Sequence, residues 1–193
     1  MSIRLVVGLG NPGLSYEKTR HNVGFWFVDL LTQQYSCDQK LRFESKFKGD
    51  VTSLHANDHP CHLLKPQTYM NESGQSVVSF MRFYKIKPAA ILVTHDELDF
   101  PAGTAYLKFA GGHGGHNGLR NIIQHIGADF WRLRIGIGHP GNRDLVHDYV
   151  LSRPSVDQKE RMIDSMHQVT PLIPNLLAGQ FEQVMNQLHT ESK

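Results

Sequence analysis

Residues 3–13 read IRLVVGLGNPG, and this stretch decides the fold class. Its first half is a mostly apolar, β-prone run, which predicts a buried strand over residues 3–8. The G-x-G-x-x-G that follows is typical of dinucleotide-binding folds, but that fold needs a helix at once and an acid about twenty residues on. Pro12 and Gly13 stand where the helix should form, and Asp29 lies in FWFVDLL, which is typical of a helix interior. Asn11 is then either part of an ordinary Asn-Pro turn or an amide projected into a cleft.

Beyond this stretch, strand-like and helix-like patterns alternate along the chain. Strand patterns cover residues 47–56, 59–66, 89–99, 104–110 and 130–141, with a turn signal at Asn57-Asp58 between the first two. Helical patterns cover residues 22–35, 68–84 and 119–127, and two further helices interrupted by Pro171, Pro174 and Gly179 are predicted over 155–190. The alternation predicts an α/β fold, with one domain over residues 1–193 and a mostly parallel or mixed sheet.

Composition narrows the class of protein. The 193 residues carry 20 basic and 18 acidic side chains, a formal charge of +2, so any nucleic-acid binding must be local. Two cysteines are too few for a disulfide framework or a structural zinc site. The chain has no signal-peptide pattern and no apolar segment of the roughly 20 residues that span a bilayer. We therefore expect a cytoplasmic protein without membrane attachment.

Three polar loops are predicted to meet at one edge of the sheet. Ligands of such sheets bind beyond the carboxyl ends of the strands, which brings together Asn11, Asp96 and the loop HGGHN (113–117). Among 12 histidines, His21 is favoured as a base by its place before a helix, and Asp96 is the leading partner carboxylate. A turn or capping role for Asp96 is the alternative.

Uncharged donors for a developing oxyanion are also available. Asn11, Asn71 and Asn117 lie beside glycines or helix starts, although a single Asn is more often a cap, and Asn117 is well placed to cap the helix at 119–127. With no nucleophile motif present, the pattern favours direct attack by water on an activated ester. The alternative is a metal-dependent hydrolase that uses the His-x-x-His spacing of His113 and His116, near His95 and Asp96.

Basic residues flank the glycine loop, and two of them, Arg132 and Arg134, share a strand face. A local patch of this kind can grip phosphates, whereas isolated surface cations usually have no such role. The candidates are Lys108, Arg120, Arg132, Arg134 and Arg143.

Six ordered motifs identify a family. GLGNPG, YEKTRHNVG, KPQTYMNESG, HDELD, GGHGGHNGLR and RLRIGIGHPG resemble, in this order, the bacterial peptidyl-tRNA hydrolase family. The resemblance runs from about Leu5 to Gly141. It implies a single α/β domain with a twisted mixed sheet and a monomer that cleaves the ester between peptide and tRNA ribose without metal or cofactor. It also explains the first glycines as the setting for Asn11.

The resemblance further implies site roles. His21 would be the general base, Asp96 its supporting carboxylate, and Asn11 the residue that helps to distinguish N-blocked peptidyl-tRNA. Near the substrate's 3′ end the implied contacts are Tyr16, Tyr69, Asn71 and Asn117, with Asn71 suited to the oxyanion and Met70 and His116 lining the cleft. Lys108 and Arg134 would hold the 5′-phosphate region of tRNA, with Arg143 a further basic site. Residues 36–62 match no motif, so their role is open.

Overall fold

One mixed sheet contains every strand of the described residues. The structure, a computed structural model, describes residues 2–35, 37, 39–56 and 59–190. The strands are β1 (Leu5–Gly8), β2 (Arg42–Glu44), β3 (Gly49–Ala56), β4 (His59–Pro66), β5 (Ile91–Glu97), β6 (Ala105–Phe109) and β7 (Trp131–Gly136). The helices are α1 (Val23–Gln34), α2 (Ser73–Phe83), α3 (Asn117–Ile126), α4 (Val146–Val150), α5 (Val156–Val169), α6 (Ile173–Leu177) and α7 (Phe181–Thr190).

The sheet order is β2-β3-β4-β1-β5-β7-β6, with β1 near the centre. The four strands β4, β1, β5 and β7 run parallel to their neighbours in that group, and the pairs β2–β3, β3–β4 and β6–β7 are antiparallel. The predicted α/β class and mixed sheet are confirmed, and the parallel part is the centre of the sheet. Because parallel strands share one carboxyl edge, the loops after β1 and β5 emerge side by side.

Both faces of the sheet are buried, as a parallel centre requires. On β1, Val6 faces a core with α1 and the C-terminal helices α5 to α7, whereas Leu5 and Val7 face a second core with α2 and α3. The helical patterns predicted over 68–84 and 119–127 correspond to α2 and α3, whose apolar faces pack on the second core; Phe80 and Ile122, one from each helix, are fully buried. The seven strands and two cores fit the prediction of one domain over residues 1–193, which stays a prediction.

The first glycines allow close packing between β1 and α1. A Cβ on Gly8 would lie 2.2 Å from the carbonyl oxygen of Gly24, and one on Gly24 would lie 2.3 Å from the backbone nitrogen of Leu9. A Cβ on Gly10 would lie 2.6 Å from the ring of Phe25. Helix α1 therefore approaches the strand as closely as backbone atoms permit. Asp29, the acid at the distance that a dinucleotide fold would require, lies inside α1 as predicted and pairs with Lys65, so it does not serve as a ribose-binding acid.

Several elements differ from the sequence prediction. Residues 156–190 form three helices, because Pro171 stands in a short 3₁₀ turn, Pro174 opens α6, and Gly179, with φ of 82°, separates α6 from α7. Strand β2 has three residues and helix α4 has five. Neither was predicted, because such short segments do not show a clear hydrophobic period. The predicted turn at Asn57-Asp58 lies outside the described residues. In the described part of the chain, no helix is both long and apolar enough to cross a membrane.

Candidate active site

A histidine and a carboxylate from two distant elements meet at the carboxyl edge of the sheet. Asp96 is the second-last residue of β5, and His21 lies in the 3₁₀ turn Arg20–Asn22 that opens α1. The Nδ1 atom of His21 lies 2.9 Å from Oδ1 and 3.0 Å from Oδ2 of Asp96. Since a carboxylate can only accept, the proton of the neutral ring is on Nδ1. Nε2 is then the free base, which is the predicted arrangement of this pair.

His116 is a second imidazole on the same carboxylate. Its Nδ1 accepts the backbone N–H groups of Gly118 and Leu119, at 3.1 and 3.3 Å, and so caps helix α3. Its Nε2 therefore carries the proton and donates to Oδ1 of Asp96 at 2.9 Å. The rings of His21 and His116 lie 4.9 Å apart. One buried carboxylate thus orients two imidazoles: it fixes the tautomer of His21, and the cap of α3 fixes that of His116.

The electrostatics of this group follow from burial and pairing. Burial alone would raise the pKa of Asp96, but its interactions with His21 and His116 outweigh burial and hold the pKa well below its usual value. Burial disfavours a charged His21, yet the charge of Asp96 and the hydrogen bond to it raise the pKa of His21 above its ordinary 6.5. Asp96 is therefore ionised at neutral pH, and His21 is a stronger base than a free imidazole.

His95, the residue before Asp96, contacts both Asp96 and His116. Its Nδ1 donates to the backbone oxygen of Asp96 at 2.7 Å, and its ring packs edge-on against His116, with 5.1 Å between centroids. Burial and the neighbouring His116 lower the pKa of His95 to about 3, so the ring is neutral at physiological pH. His95 therefore supports the backbone of Asp96 and the ring of His116, a role that the sequence analysis did not assign.

Asn11 is held by a neighbour of His21. The backbone N–H of Asn11 donates to Oδ1 of Asn22, and Nδ2 of Asn22 donates to the carbonyl oxygen of Asn11, both at 2.9 Å. The side-chain oxygen of Asn11 accepts the backbone N–H of Met70 at 2.8 Å, which leaves its NH₂ group to donate. The prediction that the loop after β1 meets the His21–Asp96 region is thus confirmed, although Asn22 holds Asn11 instead of capping α1 with its side chain.

The segment 69–71 reaches the same region. Met70 is buried, in contact distance of Gly118: a Cβ on that glycine would lie 2.6 Å from the Met70 sulfur. Tyr69 is 59% exposed, and Asn71 is exposed in the 3₁₀ turn that follows. The turn is joined to the loop after β1 through Asn11. Tyr69 and Asn71 therefore stand at the surface, available to a ligand.

Asn117 has a different local role from the one expected. Asn117 does not cap α3, because His116 does so and Asn117 is the first helical residue. Its side-chain oxygen accepts from Arg120 at 2.8 Å, so its NH₂ group can still donate elsewhere. The imidazole of His116, one residue earlier, is long enough to accept two backbone N–H groups of the helix. Nothing in the sequence pattern indicates this cap. Tyr16 is half-buried in the loop between β1 and α1.

A basic cleft lies beside the glycine loop. Lys108, Arg132 and Arg134 line a cleft of about 270 Å³ together with residues 112–114 of the loop. Glu97 and Asp99 also line it, so three cations face two carboxylates there. The shared lining confirms that Arg132 and Arg134 share a face. Arg132 is buried and donates to the carbonyl oxygens of Gly111 and Gly112, so it shapes the loop. Lys108 is exposed.

The remaining cations have separate environments. The Nε of Arg134 donates to Glu97 at 2.8 Å, and its guanidinium lies 4.5 Å from the ring centroid of Phe100. Arg143 is exposed in the 3₁₀ turn before α4 and does not line the cleft. The predicted patch therefore divides into a cleft with two functional candidates, Lys108 and Arg134, and an outlying Arg143.

The metal alternative does not fit the donors. Among the described residues, the group with the spacing of metal ligands is His21, Asp96 and His116, and it does not include His113. His113 instead accepts the backbone N–H of Gly115 at 3.0 Å. Both ring nitrogens of His116 are already engaged, one by the helix and one by Asp96. A metal ion bound there would have to replace the protons that His21 Nδ1 and His116 Nε2 donate to Asp96, and in this structure the three residues form a hydrogen-bonded group.

Three residues near the site have contacts that the sequence did not predict: Arg20, Asn22 and His95. Arg20 and Asn22 flank His21 in TRHN, but partners more than a hundred residues away, such as those of Arg20, leave no periodic signal in the sequence. His95 precedes Asp96 in HDELD, and only its burial distinguishes it from a surface residue. The signal available in the sequence was that each of these residues is next to His21 or Asp96.

The parallel centre of the sheet, with an imidazole–carboxylate pair at its carboxyl edge, defines an α/β enzyme equipped for acid–base chemistry.

The family model described as peptidyl-tRNA hydrolase matches residues 5–193. A peptidyl-tRNA hydrolase of Coxiella burnetii (strain CbuG_Q212) is 56% identical over 97% of this chain and 98% of its own length. That of Legionella pneumophila (strain Lens) is 50% identical over 98% of this chain and 100% of its own. The crystal structure of the Acinetobacter baumannii enzyme superimposes with a TM-score of 0.93 at 49% identity, over 96% of this chain and 94% of that one. The chain belongs to the peptidyl-tRNA hydrolase family, which consists of esterases.

Proposed function

We propose that this protein hydrolyses the ester between the peptide and the 3′-terminal ribose of tRNA, with His21 as general base. Family membership carries the reaction and the substrate class. The observation that supports the role of His21 is its contact with Asp96, which leaves Nε2 unprotonated at the carboxyl edge of the sheet.

In the proposed reaction, His21 Nε2 takes a proton from a water molecule as the water oxygen attacks the ester carbonyl carbon. The carbonyl oxygen becomes an oxyanion, and the positive charge that develops on His21 is stabilised by ionised Asp96. When the intermediate collapses, the bond to the ribose oxygen breaks and His21 returns the proton to that oxygen. The products are a peptide with a free carboxyl group and a tRNA with a free ribose hydroxyl.

Neutral amides are the proposed donors to the oxyanion and to the substrate. Asn71 is exposed beside the site, and its amide donates without titrating; one such donor contributes about 10²–10³ in rate. We assign Asn11, through its remaining NH₂ group, to the acylated amino end of the peptide. Tyr16, Tyr69 and Asn117 are proposed contacts near the 3′ end of the tRNA.

The roles of the remaining residues follow from their positions. Met70 is buried against Gly118 at the start of α3, and it is proposed to form the floor of the active-site cleft. His116 donates to the same oxygen of Asp96 that His21 contacts, and it is proposed to line the active-site cleft. Lys108 and Arg134 in the basic cleft are proposed to bind the 5′-phosphate region of tRNA, and the outlying Arg143 would contact the backbone further away.

We further propose that the enzyme works as a monomer in the cytoplasm. Its substrate class is produced by translation, and a chain with two cysteines is suited to a reducing compartment. Light scattering of the purified protein is expected to give the mass of one 21.9 kDa chain. A stable dimer at micromolar concentration would contradict the monomer.

The test is hydrolysis of an N-acetylated aminoacyl-tRNA by the parent protein, by His21→Ala and by His147→Ala. His147 is a matched control, because its Nδ1 also lies 3.0 Å from a carboxylate oxygen, that of Asp148, but both side chains are mostly exposed. We expect His147→Ala to retain parental activity. We expect His21→Ala to lose about 10²–10⁴-fold in kcat while binding tRNA normally. Parental turnover by His21→Ala would remove His21 as the base.

A further inference from the structure

Arg20, directly before His21, is buried without an acidic partner among the described residues. Only 6% of it is exposed. Its Nη1 donates to the hydroxyl of Ser152 at 2.6 Å and to the carbonyl oxygen of Arg153 at 3.0 Å, and its Nη2 donates to Oε1 of Gln158 at 2.7 Å. A buried guanidinium is costly unless its donors are satisfied. Here neutral acceptors bind Nη1 and Nη2, and Nε has no partner among the described residues.

Those acceptors form the corner between α4 and α5. Nη1 of Arg20 also lies 3.3 Å from the carbonyl oxygens of Tyr149, in the last turn of α4, and of Ser152, two residues after that helix. The guanidinium lies 4.0 Å from the ring centroid of Tyr149. Gln158 belongs to the capping box that begins α5. One side chain therefore joins the end of one helix to the start of the next.

The corner is itself attached to the sheet and to the turn that carries His21. The hydroxyl of Tyr149 donates to the carbonyl oxygen of Ile137, just after β7, at 2.7 Å. The backbone N–H of Arg20 donates to the carbonyl oxygen of Ser152 at 3.1 Å. The 3₁₀ turn at Arg20 is thus fixed through both its backbone and its side chain to a corner that is bonded to the sheet.

Three consecutive residues of this turn have three separate attachments. Arg20 reaches the α4–α5 corner, His21 reaches Asp96 on β5, and Asn22 reaches Asn11 after β1. The position of His21 Nε2 therefore depends on the backbone that Arg20 and Asn22 hold on either side. A misplacement of about 1 Å in a catalytic group can cost about 10²-fold in rate.

We propose that Arg20 is a positioning residue for the general base: its guanidinium fixes the turn of His21 against the α4–α5 corner. This inference rests on the proposed role of His21. Arg20 does not contact the reacting atoms, so its loss should lower kcat and leave the binding of tRNA nearly unchanged. Lysine keeps the charge but has a single nitrogen, and cannot reach acceptors on both sides of the corner at once.

The experiment compares Arg20→Met and Arg20→Lys with Arg153→Met, measuring kcat, KM and the pH dependence of kcat on N-acetylated aminoacyl-tRNA. Arg153 is a matched control because its side chain is exposed at the same corner. We expect both Arg20 variants to lose about 10- to 100-fold in kcat with KM changed by less than about threefold, and Arg153→Met to retain parental kcat. The pH midpoint of kcat should also move towards acid, because a displaced His21 loses part of the interaction with Asp96 that raises its pKa.

A purely structural role for Arg20 would predict something different. It would reduce the folded fraction but leave the pH midpoint and the kcat per folded molecule unchanged, and that result would overturn the proposal. If the Arg20 variants do not fold, the double variant Ser152→Ala with Gln158→Leu removes both side-chain acceptors and leaves Arg20 in place, with the same expected results. Failure of the base hypothesis is separate: it would appear as activity in His21→Ala, whatever the Arg20 variants do.

Discussion

Asp96→Asn perturbs the central group with almost no change in shape. In the parent, Oδ1 of Asp96 is 2.9 Å from both His21 Nδ1 and His116 Nε2, and Oδ2 is 3.0 Å from His21 Nδ1. The tautomer of His116 is fixed by the cap of α3, so its Nε2–H requires the oxygen of the introduced amide as acceptor. The NH₂ group of that amide then faces His21 Nδ1, where two donors would meet at about 3 Å.

The variant relieves that conflict by moving the proton of His21 from Nδ1 to Nε2. The nitrogen that should accept a proton from water is then already protonated. The variant also removes the negative charge that raises the pKa of His21, so burial dominates and the pKa falls. Loss of a placed base costs about 10²–10⁴-fold, or about 2.7–5.4 kcal/mol in the barrier.

The assay is kcat for hydrolysis of N-acetylated aminoacyl-tRNA across pH 5–9, with binding of tRNA measured separately. We expect a kcat reduced about 10²–10⁴-fold and a pH midpoint shifted towards acid, with normal tRNA binding. A variant with parental kcat and an unchanged midpoint would refute the reasoning, since neither the charge of Asp96 nor its two acceptor oxygens would then matter.

Three further predictions concern tRNA binding, packing and metal. Lys108→Ala should weaken tRNA binding and lower the slope of log affinity against log salt by about one unit, and an unchanged slope would exclude a phosphate contact. Lys108→Ala is a cleaner probe than Arg134→Ala, which would also leave the partly buried carboxylate of Glu97 without its ion pair. Gly24→Ala places a Cβ 2.3 Å from the backbone nitrogen of Leu9 and should cost about 1–3 kcal/mol or more in thermal unfolding, whereas Gly112→Ala, with no atom within 4 Å of its Cβ, should not. Exhaustive chelation should leave hydrolysis intact, and activity that depends on stoichiometric zinc would instead support a metal site.

The sequence predicted the architecture where physical signals are local and strong. The apolar run at β1 and the helical stripe of α3 each determined an element and its buried face, and the carboxyl-edge rule brought Asn11 and Asp96 to one region. The pairing of His21 with Asp96 was predicted as a hypothesis and is confirmed as a contact. Its catalytic role stays a prediction.

The contacts that the sequence could not predict are those made by single side chains over long separations. Arg20 contacts residues about 130 positions away, and His116 caps a helix with a ring nitrogen, a role that the pattern assigned to Asn117. Neither contact is indicated by hydrophobic periodicity or by composition. The number of C-terminal helices was also wrong, because whether a proline such as Pro174 interrupts or begins a helix depends on the packing around it.

The most direct test of the central claim is to titrate His21 itself by nitrogen NMR in the free enzyme and to compare it with the pH dependence of kcat/KM, which reports groups of the free enzyme. We predict that neutral His21 carries its proton on Nδ1, that its pKa lies above 6.5, and that kcat/KM rises with pH through that same pKa as Nε2 becomes free. A neutral ring protonated on Nε2, or an activity midpoint unrelated to the titration of His21, would contradict the account.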